Sequence, residues 1–240
     1  MIVTETPRGW RCVTQPDHAV LSHDILALWR RDDFPRHPRR PEILFAVREH
    51  DNGWQGADAA PRLDPRGDRP LDFTALANAD RLAVWQHGIE RFRAQRPYVA
   101  ALIIEHARYL HEGRHAHQRG AEPDDPWSEF LAGLPTAREE ALAAADTTLD
   151  TLLSDYRWLH IADLVSLALC AGWREPFERW GQEGVVQGDT VVLRPFPLAG
   201  ATAFSIPCRY LEPAPYTSDA AMATALATCR WERWTVRLAP

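Results

Sequence analysis

The 240-residue chain is 45% hydrophobic and 25% charged, the balance of a water-soluble protein with room for a sizeable core. Its net charge of −6 supplies no phosphate footprint, which argues against a nucleic-acid binder. The cysteines (Cys12, Cys170, Cys208, Cys229) form no CxxC pair, the N-terminus has no signal-peptide pattern, and no apolar run nears the ~20 residues of a membrane span. A cytoplasmic protein without membrane partners is expected.

Residues 2–4 and 10–13, around Pro7-Arg8-Gly9, predict a hairpin. Thr14 caps a helix expected over 17–31, with Pro16 and Asp17 in its first turn. His18, Leu21, Ile25, Leu28 and Trp29 form its apolar stripe, so His18 faces inward. His23 and Asp24 lie around from that stripe and read as a solvated pair. Residues 36–41 form a basic, proline-broken linker.

The next segment is central. Ile43, Val47, His50 and Trp54 fall at i, i+4, i+7 and i+11, one face of a helix, with Asp51 beside it. The run Ile43-Leu44-Phe45-Ala46-Val47 also suits a short buried strand. Gly53 would end a helix. Residues 55–73, rich in Pro, Gly and Asp, read as a long ordered loop, whose acidic residues and Trp54 can line a pocket or simply form turns.

A helix over 80–95 carries the stripe Leu82, Trp85, Ile89, Phe92, with His87 turned away. Another from Pro97 to about residue 111 carries Val99, Ile103, His106 and Leu110, placing His106 on the core face. His111 and His115 have zinc-ligand spacing if helical, with His117 close by, but a solvated loop fits them better. An acidic loop is expected over 121–126, then helical structure over 127–155 with a break near Gly133-Leu134-Pro135. Residues 158–171 form a helix apolar almost all round, with Asp163 at its middle and His160 on the same face. A buried carboxylate there needs a partner or a cation. Residues 185–193 predict a hairpin around Gly188-Asp189. Strands over 201–210 and 234–238 and a short helix over 218–228 complete the tail, which can pair with the N-terminal hairpin.

Burial alone thus selects His18, the pair His50-Asp51, His106 and Asp163, each of the four on its own predicted helix. Facing side chains of helical bundles build metal sites in this way, and imidazole with carboxylate suits Fe, Mn, Ni or Zn. The order His18, His50-Asp51, Asp163 over about residues 14–172 resembles the HD-domain superfamily of metal-dependent phosphohydrolases. Thr14-Gln15-Pro16-Asp17-His18-Ala19, residues 48–54, residues 58–64 and Arg194-Pro195-Phe196-Pro197 more closely resemble a bacterial domain family of unknown function.

The resemblance implies a mainly α fold, an HD-like helical bundle over 1–182; the strands read from the tail add a small β-rich appendage over 183–240, packed on it and joined by the N-terminal hairpin. It implies one or two divalent transition-metal ions held by His18, His50, Asp51 and Asp163, with His106 as a further ligand and His87 in reserve. Asp163 or Glu49 would orient water and Arg48 would neutralise phosphate. Gln15, Trp54, Asp58 and His160 are candidate substrate contacts. The expected activity is hydrolysis of a small phosphoester or nucleotide-like molecule. The alternatives are an HD-type di-iron oxygenase and a non-catalytic ligand-binding protein; a homodimer is compatible with either. Asn52-Gly53-Trp54 departs from the small residue, Gly and Lys that follow the pair in many HD hydrolases.

Overall fold

A computed structural model describes residues 1–115 and 126–240. Two strands, β1 (Ile2–Thr6) and β2 (Gly9–Val13), open the chain as the expected hairpin, with Ile2 opposite Val13. Helix α1 (Gln15–Ala27) follows, its Thr14 Oγ1 accepting the Asp17 backbone N–H. It stops earlier than the stripe suggests. Leu28 is 47% exposed, and Asp32 and Asp33 both take left-handed φ values.

The central segment is a helix, α2 (Arg40–Glu49), so the strand alternative falls. A 3-10 turn at Asn52–Trp54 and the short α3 (Gln55–Ala59) lead into the ordered loop, which is pinned by a bridge between Leu63 and Pro70. Helices α4 (Asn78–Arg93), α5 (Pro97–His115), α6 (Pro126–Ala144) and α7 (Leu149–Ala171) come next. The acidic loop expected over 121–126 falls, Pro126 apart, outside the described residues, as do the side chains of His115 and His117.

Helix α6 runs unbroken through Pro135. Burial of Trp127, Leu134, Ala141 and Leu142 in the shared core outweighs the one hydrogen bond that a proline removes. The break lies instead at residues 145–148, where Asp146 has a φ of 48° and Thr148 caps α7.

The C-terminal third contributes β3 (Phe177–Arg179), β4 (Gln182–Gln187), β5 (Thr190–Arg194), β6 (Thr202–Leu211), α8 (Asp219–Thr228) and β7 (Glu232–Ala239). All the strands join one seven-stranded sheet in the order β1-β2-β6-β7-β5-β4-β3. Its pairings are antiparallel except β5 with β7. This overturns the expected mainly α bundle with a small appendage: the protein is a mixed α and β structure in which the sheet is a full layer.

Trp234, Val236 and Leu238 alternate inward along β7 and enter the same core as Leu26, Val47, Ile103 and Leu159 of the helices. The sheet's other side, at the β1-β2-β6 end, is closed by α8 through Met222 and Leu226 packed with Met1, Trp10, Cys12 and Leu211. No helix among the described residues is long and apolar enough to cross a membrane.

Candidate metal centre

Helices α1, α2, α5 and α7 pack against one another and bring the inward histidines together. His50 is the C-cap residue of α2, one residue past its last turn. The chain there is tightly held. Asn52 Nδ2 donates to Glu49 O at 2.7 Å and to Gly88 O at 3.2 Å, tying the end of α2 to α4. Gly53 sits so close to α4 that a Cβ on it would fall 2.0 Å from the Val84 carbonyl oxygen. Asp51 is thereby fixed facing His50 and His18.

His18 Nε2 lies 2.9 Å from Asp163 Oδ1, and His50 Nε2 lies 3.4 Å from the same oxygen. Asp51 Oδ2 is 3.5 Å from His50 Nε2 and 3.7 Å from His18 Nε2. The other ring nitrogens settle the tautomers. His50 Nδ1 is 2.7 Å from Val47 O, which can only accept, so Nδ1 carries the proton. Ser166 Oγ donates to His18 O at 2.9 Å and therefore accepts from His18 Nδ1, 2.8 Å away. A neutral imidazole at either position then aims its Nε2 lone pair at a carboxylate. That is repulsive unless a cation, a proton or a metal ion, stands between them.

The electrostatics follow. Burial opposes charge on His50, but the carboxylates of Asp51 and Asp163 override it and raise its pKa to about 9. Burial pushes Asp51 upward. Asp163 is held well below the usual carboxylate range: burial opposes this, but the hydrogen bond from His18 and the nearby His50 and His106 rings prevail. His50 Nε2 has no hydrogen-bond partner among the described residues. His18, His50 and Asp163 form a buried group whose donor atoms all lie within 4.8 Å of one another, able to hold a metal ion. The donor set of two imidazoles and carboxylates fits a divalent transition metal without choosing its identity.

His106 comes to the other side of the same carboxylate, its Nε2 3.8 Å from Asp163 Oδ2 and its Nδ1 3.0 Å from Tyr156 Oη. Burial holds its pKa well below the ordinary value, so the ring is neutral and can act as a ligand.

A cavity of about 470 Å³ opens above the group. Gln15 and Trp54 line it, as do Asp51, His18, His106 and Asp163. Gln15 Oε1 is buried without a partner among the described residues. Arg69, Arg81, Phe73, Trp85, His111 and Trp173 also line the cavity. Of these only His111 has a ligand's spacing in the sequence, at i, i+4 with His115. The arginines come from the loop and the start of α4, where no periodicity marks direction. Ser166, at i+3 from Asp163 on the same helix face, was legible by spacing.

Other candidates fall elsewhere. Asp58 is buried and receives the Gln15 backbone N–H at 2.6 Å and the Met1 ammonium, so it supports the cavity wall without lining it. His160 is buried against Tyr109 and Tyr156, with Trp180 Nε1 donating to its Nδ1 at 3.1 Å, outside the cavity lining. Arg48 and Glu49 lie beside each other, 4.0 Å apart, and do not line the cavity, since successive helical residues point about 100° apart. His87 is exposed, and His23 with Asp24 forms a surface pair at 2.9 Å.

A family model described as "Protein of unknown function (DUF3891)" matches residues 1–213. No curated protein and no solved structure matches the chain.

Proposed function

Because the chain belongs to this family, whose description names no activity, we propose from the site itself that it is a divalent-metal-dependent hydrolase of a small phosphoester. The observation that carries this reading is the pair of Nε2 atoms converging on Asp163 Oδ1 beneath a cavity walled by two arginines. The resemblance of the order His18, His50-Asp51, Asp163 to HD-domain phosphohydrolases supports it.

His18, His50, Asp51 and Asp163 would hold the ion. When bound, a divalent cation supplies Lewis acidity and lowers the pKa of water toward neutrality. Asp163 would hold the ion together with the histidines and orient the attacking water. Arg69 and Arg81 offset the phosphate's charge at the wall. Gln15 presents its amide beside His18 to orient the ester, and Trp54, Phe73 and Trp85 exclude bulk water from the leaving group.

One observation favours a second reading. His106 faces the other oxygen of Asp163, so these two residues would help to hold a second ion, as a di-iron oxygenase requires. Elemental analysis and turnover of p-nitrophenyl phosphate, with His50→Ala as control, separate these. The hydrolase reading expects stoichiometric metal and chelator-sensitive turnover, both lost in the variant. Two irons with near-infrared or paramagnetic signals and no phosphatase activity support the oxygenase. Metal-free protein, or turnover indifferent to His50→Ala, defeats both.

A further inference from the structure

At the opposite ends of α1 and α2 from the metal centre lies a second concavity, of about 550 Å³, which the proposed hydrolysis does not use. Its lining runs from Ala27 to Arg30 past the end of α1, through the turn at Pro35 and Arg36, to Arg40 at the start of α2. Ala27 lies nine steps along α1 from His18, about 14 Å of helix. Residues 30–40 hold Arg30, Arg31, Arg36, Arg39 and Arg40 against only Asp32 and Asp33, in a chain whose net charge is −6. Three of those guanidinium groups, Arg30, Arg36 and Arg40, line the cleft against one carboxylate, Asp33.

The cleft is built, not loose. Phe34 is fully buried beside Trp158, at 4.7 Å between ring centroids, and His37 Nε2 lies 3.0 Å from the buried Asp155. Arg40 Nη2 donates to Ala27 O at 2.7 Å, closing the end of α1. Arg30 N donates to Pro197 O at 2.9 Å, so the Arg194-Pro195-Phe196-Pro197 motif, which the metal centre leaves unused, buttresses this cleft.

Two donors here lack an acceptor. Trp29 is 2% exposed and its indole Nε1 has no hydrogen-bond partner among the described residues; nor has the buried Arg40 Nε. Asp33 is engaged by Arg36 at 2.5 Å and the nearby Glu42 by Arg39 at 3.4 Å. Unpartnered arginine and indole nitrogens occur elsewhere in the protein; here they coincide with a concave lining of three guanidinium groups against one carboxylate.

We propose that this cleft binds a small phosphate-bearing molecule, its oxyanion held by Arg30, Arg36 and Arg40 and its body resting on the Leu28 and Pro35 walls. Guanidinium forks match the oxygens of a phosphate, and a rigid cleft of this volume suits a small ligand. The α2 N-terminus, where no side chain caps the helix, adds a favourable dipole.

The test titrates inorganic phosphate into the full chain as purified and follows the indole N–H resonances, with Trp29 assigned through Trp29→Phe. Arg30 and Arg36 are exposed, so Arg30→Gln/Arg36→Gln leaves the fold intact, checked by its melting curve. A saturable shift of the Trp29 resonance is expected, weakened by added salt, at least tenfold weaker in the double variant and unchanged in Arg81→Gln. No saturable shift would overturn the proposal. So would binding that survives in the double variant and vanishes in Arg81→Gln, because it belongs to the metal cavity. Binding of a single-stranded oligonucleotide without binding of phosphate would also overturn it, in favour of a polyanionic partner.

Discussion

Ser166 Oγ holds His18 at both ends of one short circuit, accepting from the ring at 2.8 Å and donating to the His18 carbonyl at 2.9 Å. That arrangement fixes the ring's tautomer and directs Nε2 at Asp163. Partners of this kind typically tune metal affinity by 10- to 100-fold. Ser166→Ala should therefore keep the fold and weaken divalent-metal binding by roughly that factor, read by competition with a chelating dye. Unchanged affinity in a folded variant would show that Ser166 serves packing alone.

Metal binding should be strongly pH-dependent, and the sign follows from His50. Its pKa in the metal-free protein is raised to about 9, so the ring is protonated across the neutral range. A metal needs the neutral ring and must displace that proton. Apparent affinity should rise about tenfold per pH unit up to pH ~9 and flatten above it. Calorimetry in buffers of different ionisation enthalpy should show about one proton released per ion near pH 7.5. Linkage runs the other way for the metal-free fold. A folded pKa above the unfolded value of about 6.5 stabilises below pH 6.5, and the contribution fades as pH rises through 9.

The metal-centre residues were legible because burial has a period. His18, His50, His106 and Asp163 stand on apolar faces, and a polar group there needs a partner. Arg69 and Arg81 were not, since a loop residue and a first-turn residue point where tertiary packing sends them. The sheet was underread for a different reason. Its strands come from the two ends of the chain, β3 is only three residues long and largely polar, and pairing between β2 and β6 is non-local. Hydrophobic alternation marks strands but not which strands meet. The break expected at Pro135 failed because burial on both sides of that residue outweighed a local preference.

Gly53→Ala should disturb the site from outside it. The new methyl would meet the Val84 carbonyl oxygen at 2.0 Å, and the nearest relief is to lift the Asn52–Trp54 turn from α4. Backbone offers no flexible escape, so a loss of about 3 kcal/mol, near the upper end for overpacking, is expected in urea unfolding. Asp51 precedes that turn, so metal affinity should fall as well. Wild-type stability in the variant would mean that α4 stands further off.

Thiol reactivity should separate the cysteines. Burial pushes Cys12 and Cys170 up to about 12, and Cys208 is also buried. Cys229 alone is partly exposed. Burial raises the Cys229 thiol as well, so access rather than acidity separates them: Ellman's reagent should modify Cys229 first in the native protein and the others only after unfolding. Fast native modification of two or more thiols would contradict the packing around β2, α7 and β6.

The cavity's charge pattern gives a kinetic expectation that rests on the phosphoester reading. Arg81 donates to the Thr74 carbonyl, which holds its side chain along the cavity wall. Arg69 stacks over Trp10 at 4.7 Å and reaches Asp64 at 3.3 Å, while its Nε has no hydrogen-bond partner among the described residues. Both stand on the cavity wall, on the loop and the first turn of α4, outside the group of His18, His50 and Asp163, so their pull on a phosphate should be the same in the ground and transition states. Such uniform binding enters KM and leaves kcat unchanged. A hydrogen bond to a charged group contributes about 1.5 kcal/mol, so Arg81→Gln should raise KM for a phosphomonoester roughly tenfold at constant kcat. Arg81→Lys should recover only part of this, because an ammonium lacks the fork. A variant that loses kcat with KM intact would place Arg81 on the reacting phosphoryl group instead, and a variant altered in neither would remove the arginines from substrate recognition.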